Sequence, residues 1–114
     1  MVLGEREQAR VAWSEVLDRW GTLDDAASLA RLGLGDLSVD EGEFDQALDW
    51  YDEVLSESGD RHYQARAVLG QAGAWRTAGD NGKAREAFER LVEEYPDQGE
   101  LVATANSELS RLSN

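Results

Sequence analysis

Gly42 to Leu55 reads GEFDQALDWYDEVL, and close versions stand at Gly4 to Leu17 (GEREQARVAWSEVL) and at Gly79 to Val92 (GDNGKAREAFERLV). Set on their leading glycines, the three copies keep one order. Ala9, Ala47 and Ala84 are small. Trp13, Tyr51 and Phe88 are aromatic. Val16, Val54 and Leu91 are aliphatic, as are Leu17, Leu55 and Val92. The copies are 38 and 37 residues apart. A repeat of this length points to stacked supersecondary units rather than to one irregular core. In each copy the matched positions fall at i, i+4, i+7 and i+8, which is one stripe of a helix. The glycine before each copy suits the end of a preceding helix.

Further helical patterns fill the gaps. One runs over Leu23–Val39, with Thr22 and Asp25 as a cap pair, and one over Tyr63–Ala78. A last one runs from Gln98 to Leu112, where Asp97 caps and Glu100 stands at the capping-box position. Pro96 marks the junction before it. No strand pattern is present. The expected fold is all-α, with about six helices in antiparallel pairs. It divides into a lone B helix over 5–20, a repeat over 23–57, a second over 61–95, and a capping helix over 98–112. Leu32-Gly33 recurs as Leu69-Gly70, and Gly35 recurs as Ala72. A small residue there lets helix A approach Ala47 or Ala84 of its own helix B.

The pattern of Leu34-Gly35, then Ala47-x3-Tyr51, resembles the tetratricopeptide repeat. So does Trp75, then Ala84-x3-Phe88, then Pro96. It departs at Gln71-Ala72, Ser38 and Gly59, where that family has Leu-Gly, an aromatic and Pro. The longer period and the stretch FERLVEEYPDQGELVATANSEL are also similar to repeats of bacterial cell-envelope adaptors, the Tol–Pal-associated coordinator among them. The resemblance implies a right-handed superhelix and a concave groove lined by A helices that takes a partner's peptide or helix. On that groove face, Arg66, Gly70, Gly73 and Thr77 form one stripe, flanked by Leu69 and Arg76. Leu29, Leu32, Asp36 and Asp40 are their counterparts on the neighbouring A helix. The glycines lower the wall for an approaching backbone. The two arginines suit a carboxylate or an acidic segment, unless they pair with the chain's own Asp and Glu. Val68, Ala72 and Trp75 face the core.

The totals narrow the functional class. At 114 residues, with 41 % hydrophobic and 31 % charged residues, the chain reads as one folded domain rather than a disordered one. A net charge of −13 repels nucleic acid, whose binding needs Lys and Arg against phosphates. No apolar run is long enough for membrane insertion. MVLGEREQAR has no apolar core of a signal peptide, which leaves a bacterial or archaeal cytoplasm or periplasm open. With no cysteine, disulfides and thiolate metal sites are excluded. Ten Arg against the single Lys83 fit either adaptation to high salt or a GC-rich coding bias. Asp36–Asp45 fails as a calcium loop, because Glu41 and Ala47 stand where Gly and Glu are needed. His62 falls in a turn without converging partners. No cofactor, metal or catalytic set is expected. Trp50, adjoining Tyr51, is the candidate exposed anchor. A lone B helix leaves Trp13 and Val16 uncovered. This implies a cut from a longer array or, alternatively, a homo-oligomer in which another copy covers that face. Two function readings follow: a protein-binding module, or a self-associating scaffold.

Overall fold

The computed structural model describes residues 4–112. Six helices run in order: α1 (Glu5–Trp20), α2 (Asp24–Asp40), α3 (Phe44–Glu57), α4 (Arg61–Thr77), α5 (Asn81–Glu94) and α6 (Gly99–Leu112). No strand occurs among the described residues. The fold is the all-α helical repeat expected. Gly42 and Gly79 take φ of 76° and 93°, the left-handed turn that ends α2 and α4. Gly4 differs: its φ is −64°, and it serves as the N-cap of α1.

Each helix packs on the next along the chain. In addition α2 touches α4 and α4 touches α6, whereas α1, α3 and α5 do not touch one another. The A helices therefore converge on one side and the B helices splay on the other. That asymmetry curves the stack, with α2, α4 and α6 on the inner face.

Two buried clusters hold it together. Leu32, Ala47, Tyr51, Val54, Ala67 and Ala74 form the first. Ala65, Val68, Ala72, Ala84, Phe88, Leu91, Tyr95 and Ala105 form the second, and Leu55 packs on both. α4 serves both clusters, which explains its alanines: small side chains let helices approach from two sides. The aromatics of the B helices need seats. A Cβ on Gly35 would stand 2.6 Å from the Tyr51 ring, and one on Gly70 only 2.5 Å from it. Tyr51 therefore lies between glycines of its own A helix and of the next. Trp13 rests on Gly33 in the same way, 2.3 Å from where a Cβ would be. Gly35 thus accommodates the Tyr51 ring rather than Ala47, because the aromatic is the group that projects furthest toward α2.

The caps differ from expectation. The N-cap of α2 is Leu23, with no side-chain bond, and Thr22 and Asp25 do not cap it. Asp24 instead accepts from Ser28 Oγ at 2.8 Å and from the Gly59 amide at 3.0 Å, which ties α2 to the turn before α4. Asp97 directs its carboxylate to Arg61, whose Nη2 donates at 2.6 Å and Nε at 3.2 Å. Through Gly59 and Arg61, these two carboxylates tie each repeat to the next. Asp60 and Asp80 do cap α4 and α5, accepting from the amides of His62 and Lys83.

Candidate functional site

Two adjoining cavities run along the inner face. The first, about 330 Å³, lies between α2 and α4. It is lined by Asp36, Val39, Asp40, Tyr51, Gly70, Gly73, Ala74, Arg76 and Thr77. The second, about 140 Å³, lies between α4 and α6 and is lined by Leu69, Gly73, Arg76, Phe88, Thr104 and Glu108. Gly73 and Arg76 belong to both, so the two form one trough. A Cβ on Gly73 would meet nothing within 4 Å, so the wall is low there. Gly70 is different, since its missing side chain is space already taken by Tyr51.

The charges of the trough are partly spoken for. Arg76 pairs across helices with Glu108. Arg66, one turn before Gly70, makes no ion pair among the described residues, although its charge acts on Tyr51 and Tyr63. The Tyr51 hydroxyl donates to Asp36 Oδ1 at 2.6 Å. Burial first, then this bond and the Asp36 charge, push the Tyr51 phenol far above its ordinary range. It therefore stays a neutral donor that fixes the Asp36 carboxylate at the cavity wall. Asp40 is exposed one turn further on.

Of the residues expected in the groove, Asp36, Gly70, Gly73, Arg76 and Thr77 meet at the first cavity, and Leu69 lines the second. Leu29 is 38 % exposed on α2. Leu32 is not a groove residue. It is 2 % exposed and belongs to the first core cluster, because its side of α2 turns toward α3. Thr104 and Glu108 were not legible. Advancing Gly70 and Gly73 by the repeat length lands on Ser107 and Ser110, since the α5–α6 connection is one residue longer than the α3–α4 connection.

Other side chains are also displaced from their expected settings. Trp50 is half-buried, and the exposed tryptophan is Trp20, at 53 %. His62 sits in the first turn of α4 with Nδ1 3.0 Å from Gln98 Oε1. Among the described residues, no three His, Asp or Glu side chains are grouped to hold a metal. No described helix is long and apolar enough to cross a membrane.

Six helices in A/B order, a curved stack and aromatics seated on glycines are the geometry of one repeat family. The family model of the tetratricopeptide repeat matches residues 1–62 and 60–99. The chain belongs to that family. Tetratricopeptide repeats generally mediate protein–protein interaction, so protein partners are indicated. The match is to the family at large, and the likeness to cell-envelope adaptors is not shown by it. No curated protein and no solved structure matches the chain.

Proposed function

We propose that the chain is a non-catalytic interaction module that holds an extended segment of a partner protein in the trough between α2, α4 and α6. The observation that carries this reading is the trough itself. Its two cavities join at Gly73 and Arg76, and nothing stands above Gly73. An extended backbone can descend where that wall is lowest. The chemistry around it supports a segment of mixed character. Asp36 and Asp40 offer carboxylates to a Lys or Arg of the partner. Arg66 offers a guanidinium to a carboxylate, and Leu29 gives an apolar contact at the far end. Arg76 is committed to Glu108, so it contributes less to an acidic ligand than its position on the helix suggests. The net charge of −13 favours encounter with basic segments.

The test is selection from a displayed peptide library on the folded chain. Enriched segments should carry Lys or Arg for Asp36 and Asp40, together with an acidic residue for Arg66. Asp40→Lys or Arg66→Glu should weaken their binding by about tenfold or more while leaving the helical circular dichroism unchanged. Segments that bind both variants as tightly as the parent chain would remove the groove from the account. A second reading, self-association as a scaffold, is favoured by one separate observation, the exposed flank of α1.

A further inference from the structure

α1 is a B-type helix covered on one side only. Trp13 rests on Gly33, and Arg10 bonds to Glu41 at the end of α2, so α2 takes that side. On the other side lie Glu5, Ala9, Ala12, Val16 and Arg19, following one another at spacings of three and four. Trp20 closes the stripe. α3 packs on two A helices, α2 of its own repeat and α4 of the next, whereas among the described residues α1 packs on α2 alone. Ala12 and Trp20 are exposed, and Ala9, Trp13 and Val16 are only half-buried.

The flank has a symmetry of its own. It begins with an acid, Glu5, and ends with a base, Arg19, and its middle is the small Ala12. Laid antiparallel on the same flank of a second helix, with Ala12 at the crossing, Glu5 falls opposite Arg19 and Ala9 opposite Val16. A two-fold axis makes each of these pairings twice. Ala12 lets the backbones approach, and Trp20 lies over the Glu5–Ala9 turn of the partner helix. A parallel pairing would set Glu5 against Glu5 and Arg19 against Arg19, and it would align the helix dipoles. α1 as a whole carries four carboxylates and three guanidinium groups. The two contact helices therefore meet with little net charge of their own, although the whole chain carries −13.

We infer that the outer flank of α1 binds the same flank of a second copy, forming an antiparallel α1 pair on a two-fold axis at Ala12. This surface is separate from the trough, which stays open in the dimer.

Light scattering across a concentration series tests it. The mass should rise from 12.6 kDa toward twice that value. Ala12→Arg should hold the chain at the monomer mass over the same range with unchanged helicity, because Ala12 is exposed and its loss leaves no cavity. Glu5→Arg should raise the dissociation constant by about tenfold or more, by setting like charges opposite each other. Adding Arg19→Glu to it should restore dimerisation. A monomer at every concentration would overturn the inference. So would a dimer indifferent to Ala12→Arg, or a double charge reversal that fails to recover what Glu5→Arg lost.

Discussion

In α3, Ala47, Tyr51 and Val54 are 0 %, 1 % and 0 % exposed. In α1 the matching Ala9, Trp13 and Val16 are all partly exposed, although the residue pattern is the same. The repeat pattern therefore states which side chains can be core, and the neighbouring helices determine which ones are. α3 lies between α2 and α4, whereas among the described residues α1 packs on α2 alone. Equal letters should then have unequal weight, and substitution at matched positions measures the inequality.

The largest effect is expected at the aromatics. Tyr51→Ala should cost about 3–5 kcal/mol in chemical denaturation, because it empties a fully enclosed seat. It also removes the partner of Asp36. Trp13→Ala should cost roughly half as much, since part of its ring already meets solvent. Equal costs would break the comparison.

Next come the alanines. Ala47→Leu and Ala84→Leu should overpack by about 1–3 kcal/mol each. Ala9→Leu should shift the melt by less than about 1 kcal/mol, because its uncovered side gives room. The glycines sharpen the contrast within one helix. Gly70→Ala drives a methyl into the Tyr51 ring and should destabilise by about 1–3 kcal/mol. Gly73→Ala meets open space and should stabilise by about 0.5–1 kcal/mol through helix propensity. Two shifts of the same sign would refute the seating of Tyr51.

The smallest effect belongs to the ties between repeats. The Arg61 guanidinium first, then the Gln98 amide, hold the Asp97 carboxyl below its ordinary value. Ser58 first, then Ser28 and the Gly59 amide, lower Asp24. A depressed folded-state pKa gives stability that is fully present above the ordinary carboxylate value near 3.8. That stability is lost as the pH falls through the folded value. Asp97→Asn and Asp24→Asn should therefore lower stability slightly at neutral pH and make its acid decline shallower. Both groups are solvent-exposed, so the change should be small. An unchanged acid limb in both variants would show that these ties contribute nothing.

Much of this was legible in the sequence, for a physical reason. The helices, their A/B order and the buried Ala47, Tyr51, Val54, Ala84, Phe88 and Leu91 follow from periodicity, which the backbone geometry enforces. Gly42 and Gly79 were legible because positive φ selects glycine. Side-chain choice between competing partners was not legible. Asp97 goes to Arg61 rather than to a cap, and Arg76 finds Glu108, because both depend on distances across the stack. Leu32 was misplaced because Leu29 and Leu32 lie three residues apart, near the boundary between the inner face and the α3 contact. Trp20, rather than Trp50, is the exposed tryptophan, because no described helix packs on the outer flank of α1.

The central claim is that α1 is held on one side and α3 on two. Hydrogen exchange, at a dilution where the chain runs as a monomer, tests it most directly. The account predicts that amides from Glu5 to Trp20 exchange through local opening well before those from Phe44 to Thr77. Uniform protection from Glu5 to Leu112, lost in one step, would contradict it.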